Sequence, residues 1–186
     1  NRNKKQAYDR AVEMLRLVNI NEPEKRMKQY PFEFSGGMRQ RIVIAIALAA
    51  NPDILICDEP TTALDVTIQS QILELINRIK AERNLSVIFI THDLGVVANM
   101  ADRIAVMYLG NIVELAPSEE IFKDPRHPYT ARLLKAVPVL GKESGRLETI
   151  PGSVVSPEDF PSGCRFCDRC SRYAELSAGE QKICRD

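Results

Sequence analysis

Ile54-Leu55-Ile56-Cys57-Asp58-Glu59-Pro60-Thr61-Thr62-Ala63-Leu64-Asp65 is the stretch on which the fold turns. Four apolar residues run without alternation and end on two adjacent carboxylates and a proline. An unbroken short apolar run bounded by turn signals reads as a strand buried on both faces, as in parallel sheets. Open α/β sheets hold their ligands at the carboxyl ends of the strands. Asp58 and Glu59 stand at that end, where a bare charge is costly unless a metal or a hydrogen-bond partner compensates it. Magnesium fits the need, since one or two carboxylates plus substrate phosphate oxygens usually hold it. Adjacent strand residues face opposite ways, so one carboxylate can serve the metal and the other an attacking water. The plainer alternative is that Asp-Glu-Pro closes a strand with a solvated turn.

Upstream, Phe34-Ser35-Gly36-Gly37-Met38-Arg39-Gln40-Arg41 leads into the apolar run Ile42 to Ala50. Ser35 is a good N-cap, and the glycines let the backbone approach a ligand closely. The helix that follows is apolar almost all round, which predicts a buried helix. Its start offers amide groups and a positive dipole end, an anion site unless this is an ordinary capped helix. Asn51-Pro52-Asp53 stops it. Further upstream, residues 4 to about 18 predict an amphipathic helix with Ala7, Ala11, Met14, Leu15 and Val18 on one face. A polar connector follows, and a second helix is expected near Glu24 or Lys25.

Downstream, an amphipathic helix runs from Asp65 to about Arg83 with Ile68, Ile72, Leu75, Ile76 and Ile79 inward; Asp65 can be simply its N-cap. Leu85 to Thr91 predicts a second buried strand ending at His92-Asp93. A lone histidine is more often structural than catalytic, but this one falls on the same rim of a parallel sheet as Glu59. A short helix over 94–101 and a hairpin about Leu109-Gly110-Asn111 come next. Helices are then expected after Pro117 and Pro128, the latter with Tyr129, Leu133, Leu134 and Val137 on one face. From Leu140 glycine, proline and serine dominate, giving an irregular tail too poor in apolar residues to fold without a staple.

The balance of 25 basic and 25 acidic residues creates no net field for nucleic acid or an anionic membrane. The longest apolar run is too short to span a bilayer. At 186 residues the chain can hold one domain with a real core and a small appendage. Four of the five cysteines crowd the end as Cys164-x2-Cys167-x2-Cys170-x13-Cys184, which without an export signal argues for metal ligation over disulfides. The first three resemble the C-x2-C-x2-C run of bacterial ferredoxins, with Cys184 a fourth ligand from a distance. A four-thiolate zinc site competes, as do free thiols. Cys57 reads as core filler.

Taken in order, Phe34 to Arg41, Ile54 to Asp65 and Thr91-His92-Asp93 resemble the signature motif, the Walker B strand with its D-loop, and the switch histidine of ABC transporter ATP-binding subunits. The likeness covers roughly residues 4 to 137. Met38, His127-Pro128-Tyr129-Thr130 and the cysteine tail resemble the oligopeptide/dipeptide importer branch, much of whose pattern nickel importers share. The resemblance implies an α/β, partial P-loop NTPase-like fold with a mainly parallel sheet. Residues 1–137 would be the carboxyl-terminal part of the ATPase domain, with a helical subdomain to about 50, a core part over about 51–116 and helices over 117–137. Residues 138–186 would be a small Cys-rich extension.

It also implies chemistry. Asp58 would hold magnesium, Glu59 would act as general base on ATP's γ-phosphate, and His92 would sense that phosphate. Ser35, Gly36 and Gly37, with Met38 and Gln40, would bind the γ-phosphate of the opposite subunit, and Asp65 would lie at the dimer seam. The branch can carry a 4Fe–4S cluster on Cys164, Cys167, Cys170 and Cys184. Implied partners are a second ATP-binding subunit, transmembrane permease subunits and, indirectly, a substrate-binding protein, at the cytoplasmic face of the membrane and without nucleic acid. Phosphoryl transfer needs positioning and charge neutralisation more than covalent chemistry, which suits this set.

One departure is large. No G-x-x-x-x-G-K-[ST] phosphate loop occurs in the chain, nor a visible Q-loop glutamine ahead of the signature. The expectation is a carboxyl-terminal portion with an incomplete central sheet, a strand edge prone to aggregation, and negligible ATP affinity by itself. Two other readings are a non-transport ATPase of the same superfamily, and a metal-binding or regulatory module on an inactive ATPase body.

Overall fold

The computed structural model describes residues 3–136 and 149–186. The expected face position Val137 and the boundary at 138 lie outside them. The chain divides into two compact units, Asn1–His92 and Asp93–Asp186.

In the first unit, α1 (Lys4–Leu17) is capped by Asn3, and α2 is the single turn Pro23–Arg26. Next come α3 (Gly36–Leu48), β1 (Ile54–Asp58), α4 (Val66–Arg83) and β2 (Ser86–Ile90). β1 and β2 pair in parallel, from Ile54 opposite Ser86 to Asp58 opposite Ile90. Their shared direction brings both carboxyl ends to one rim. The core gathers Met14 and Val18 with Leu48 and with Ile72, Ile76 and Ile79 of α4. Each such side chain contributes roughly 1.5–3 kcal/mol of burial.

The helices are tied by more than apolar contact. Arg41 of α3 donates to the Val18 carbonyl at 3.0 Å and Arg78 of α4 donates to that of Leu17 at 2.7 Å. A helix leaves its last carbonyls without intrahelical donors, and two guanidinium groups satisfy them here. Asn84, in the left-handed region at φ 49°, then ends α4 as such caps do.

Two expectations need correction. β1 is not buried on both faces: Leu55 and Cys57 are buried, but Ile54, Ile56, Ile88 and Ile90 are exposed, Ile56 by 65%. Nor is α3 buried all round, since Val43 and Ile46 are exposed, the latter by 69%. The cause is shared. A continuous apolar run becomes buried on every side only where a second layer covers it, and no described element covers these faces. In α1 the inward set is Val12, Met14, Leu15 and Val18, while Ala7 is exposed.

In the second unit, α5 (Leu94–Met100) precedes β3 (Arg103–Tyr108) and β4 (Asn111–Pro117), an antiparallel hairpin. Leu109 and Gly110 both take positive φ, at 47° and 83°, as a two-residue hairpin turn requires. Then come α6 (Ser118–Lys123), α7 (Pro128–Lys135), short 3₁₀ turns and α8 (Ala178–Arg185). The tail is stapled by an aromatic side chain. Phe166 is fully buried, with ring centroids 5.2 Å from Tyr108, 5.4 Å from Tyr129 and 5.8 Å from His127. Arg169 donates to the Tyr108 hydroxyl at 3.2 Å and to the carbonyls of Ile150 and Pro151, and Arg165 donates to the Leu109 carbonyl.

Candidate active site at the ends of two parallel strands

The parallel register delivers Glu59 and His92 to the same rim. His92 Nδ1 lies 2.9 Å from Glu59 Oε1. Thr62 Oγ1 donates to the other carboxylate oxygen, Oε2, at 2.8 Å. Both partners are open to solvent, the His92 side chain by 78% and that of Glu59 by 43%.

The backbone beneath is unusual. Glu59 has φ 44°, in the left-handed region that costs an L-residue roughly 1–2 kcal/mol. Hydrogen bonds offset that strain. Glu59 N–H donates to the Ile90 carbonyl of β2 at 2.9 Å, and Thr62 N–H donates to the Glu59 carbonyl at 3.2 Å. The chain thus leaves β1 in a tight turn over Glu59–Thr62 that aims the carboxylate at the end of β2. The His92 hydrogen bond, followed by that from Thr62, holds the Glu59 carboxyl below its ordinary value. A carboxylate that stays ionised, near a histidine and facing solvent, can accept a proton from a water placed between them and a third group.

Asp58 is the last residue of β1, paired opposite Ile90, and it is exposed. Its place at an open strand end and its oxygen donors suit a hard cation. Asp65 N-caps α4, its Oδ1 accepting from Ile68 N–H at 3.0 Å. Ser35 N-caps α3, with Oγ accepting from Met38 N–H at 3.4 Å. Met38 and Gln40 are half-buried on α3.

The two glycines differ. A Cβ on Gly36 would make only an ordinary 3.7 Å contact with Leu64. One on Gly37 would fall 2.7 Å from Cγ2 of Ile68, so Gly37 lets α3 and α4 approach closely. Ligand approach by this backbone is therefore not the only demand for glycine here.

The cysteines are not gathered into the expected metal centre. All are free, and among the described residues no group of three or more His, Cys, Asp or Glu side chains is placed to hold a metal ion. Backbone hydrogen bonds do string them together, from Cys164 to Cys184 at 2.8 Å, Cys167 to Cys164 at 3.0 Å and Cys170 to Cys167 at 3.2 Å. Neighbouring backbones are insufficient, since a 4Fe–4S cluster or a zinc ion needs four thiolates facing one centre. Cys167 is instead buried beside the Phe166 anchor, while the other three are half-buried. Burial pushes the Cys167 thiol up, and that of Cys57 to about 11.

Three residues escaped the sequence reading. Thr62 had a signal, a hydroxyl three residues after a turn-forming acid. Phe166 had one too, an aromatic between two cysteines in an apolar-poor segment. Arg169 had none.

Comparison with known proteins gives the family. A family model described as "ABC transporter" matches residues 1–62, and one described as "Oligopeptide/dipeptide transporter, C-terminal region" matches residues 113–175. The oligopeptide transport ATP-binding protein OppD of Bacillus subtilis (strain 168) is 60% identical over 181 residues, covering 96% of this chain and 50% of that protein. Among solved structures, a putative metal-chelate type ABC transporter in an inward-facing conformation superposes with TM-score 0.62 at 27% identity, over 72% of this chain and 50% of that one. A dimeric bacterial ABC transporter cassette gives TM-score 0.54 at 31% identity, over 63% and 50%. The chain spans about half the length of the curated relatives it matches. With ABC transporter sequence at its start and the oligopeptide/dipeptide C-terminal region further on, the chain belongs to the ATP-binding subunits of the ABC transporter family, in their oligopeptide/dipeptide branch.

Proposed function

We propose that this chain is the signature- and Walker B-bearing portion of an ATP-hydrolysing subunit that powers import of oligopeptides or dipeptides. The observation that carries the reading is the 2.9 Å approach of His92 to Glu59 at the ends of two parallel strands. Glu59 serves as general base for a water, and His92 steadies its carboxylate and senses the terminal phosphate. Asp58 is the magnesium ligand, direct or through water. Bound Mg-ATP supplies the transferable phosphoryl group and the cation that neutralises its charge.

Ser35, Gly36 and Gly37, with Met38 and Gln40, form the start of a 13-residue helix whose amides and dipole favour an anion. In this proposal that anion is the γ-phosphate held by a second ATP-binding subunit, and Asp65 lies at the seam between the two. A likeness to a cassette described as dimeric supports the pairing. Permease subunits anchor the pair at the cytoplasmic face of the membrane, with a substrate-binding protein beyond them and no nucleic acid. Among the described residues no helix is long and apolar enough to cross a membrane. Residues 1–137 belong to the ATPase domain and 138–186 to the branch-specific extension.

The phosphate loop must come from sequence that this chain does not contain. Titration calorimetry of the isolated chain with Mg-ATP is expected to show negligible binding; micromolar affinity would overturn that part. Mixed with the amino-terminal half of the Bacillus subtilis relative, the chain is expected to hydrolyse ATP, and Glu59→Gln to slow it at least ~100-fold. Undiminished hydrolysis by that variant would remove Glu59 from its role.

A further inference from the structure

We infer that Thr62 is a positioning residue that fixes the Glu59 carboxylate, an inference that rests on the proposed role of Glu59. A glutamate side chain turns about three torsions, and one this exposed has no packing to select a rotamer. Here each carboxylate oxygen has its own partner. Thr62 Oγ1 donates to Oε2 at 2.8 Å, and His92 Nδ1 lies 2.9 Å from Oε1. Two contacts on opposite oxygens define the carboxylate plane, where one would leave it free to rotate. A carboxylate has about four acceptor positions, so two remain for a water.

The location of Thr62 makes it suited to the task. Its N–H closes the turn on the Glu59 carbonyl at 3.2 Å, so its hydroxyl and its backbone act on the same residue. The turn runs on through Ala63, itself at φ 63°, to Asp65 and the start of α4. The hydroxyl therefore rides on a segment anchored by β1 on one side and a capped 18-residue helix on the other. It acts through Glu59 and need not touch a substrate.

The test separates this inference from the ATPase reading. In the 186-residue chain at neutral pH, NMR cross-relaxation between Glu59 side-chain protons and the His92 ring reports the pose directly. Thr62→Val keeps the shape and removes the donor, and is expected to lose most of that cross-peak. Thr62→Ser keeps the donor and is expected to retain it. A full cross-peak in Thr62→Val, or its loss in Thr62→Ser as well, would overturn the inference. In the ATPase reconstituted with the amino-terminal half of the Bacillus subtilis relative, Thr62→Val is expected to lower kcat about tenfold with KM for ATP unchanged, and Thr62→Ser to restore it. If no hydrolysis occurs with the parent chain, the functional reading fails while the NMR result still decides the positioning. An unchanged kcat in Thr62→Val overturns the inference and leaves the functional reading standing.

Discussion

Substituting Gly37 by alanine tests why glycine stands there. The new Cβ would lie 2.7 Å from Ile68 Cγ2, against about 3.5–4.0 Å for relaxed carbon contacts, an overlap of about 0.8 Å. Cγ2 is bonded directly to the Cβ of Ile68, so it can retreat only by turning χ1 or by moving the first turn of α4. Overpacking of this kind costs about 1–3 kcal/mol. Alanine recovers up to about 1 kcal/mol of helix propensity over glycine. Gly37 is only the second residue of α3, where less than half of that interior gain applies, so the balance is a loss of about 1–2 kcal/mol. With a urea slope of about 2 kcal/mol/M, the unfolding midpoint falls by about 0.5–1 M. Ile68→Ala removes the obstructing methyl, so in that background Gly37→Ala should become neutral or stabilising, a coupling of about 1–2 kcal/mol. Gly36→Ala, whose Cβ meets only Leu64 at 3.7 Å, is the matched control and should cost nothing. A midpoint that stays or rises in Gly37→Ala with Ile68 present would refute the close-packing account.

Further outcomes follow from the second unit and the thiols. Phe166→Ala empties a fully buried aromatic site and should cost about 3–5 kcal/mol, read as protease cleavage in residues 149–186 at concentrations the parent chain resists. His127 N-caps α7 through Nδ1, which accepts from Tyr129 N–H at 3.1 Å. Burial keeps this imidazole below its usual 6.5, the Glu114 charge opposing and that of Arg172 adding to it. The unfolded chain then takes up the proton first, so stability is complete above about pH 6.5 and falls as the pH drops below it. His127→Asn, a cap that does not titrate, should flatten that part of the profile; an unchanged slope in denaturation at several pH values would discount the cap. Cys57, buried and raised to about 11, should resist iodoacetamide in the native chain while Cys164, Cys170 and Cys184 react.

The local rules that the sequence carries were legible because they are short-ranged. Ser35 and Asp65 as caps, the paired strands ending at Asp58 and Ile90, and the turn at Leu109-Gly110 all follow from a few neighbouring residues. The meeting of Glu59 with His92 was legible too, because parallel pairing leaves one place for both strand ends. What failed depended on neighbours beyond the local window. Ile54, Ile56 and Val43 are apolar yet exposed, because periodicity predicts which faces need cover and says nothing of whether cover is present. The tail was legible only in part. Four spaced cysteines drew the reading to a metal, while Phe166, seated among Tyr108, Tyr129 and His127, anchors the segment through partners far off in sequence. Gly37 was read as making room for a ligand, and the second demand on it, close packing against Ile68 thirty-one positions on, has no local signal.

The bare isoleucines of the small parallel sheet have a calorimetric consequence. Heat capacity rises on unfolding in proportion to the apolar area newly wetted. Ile54, Ile56, Ile88 and Ile90 are already about half or more hydrated in the folded chain, and Val43 and Ile46 likewise. Their melting therefore adds little new hydration, and the temperature curve of stability should be flatter than the usual ~12–15 cal/mol/K per residue gives. The folded chain would lose less of its stability on cooling than a fully covered domain of its size, and steepen once a second layer is laid over those side chains.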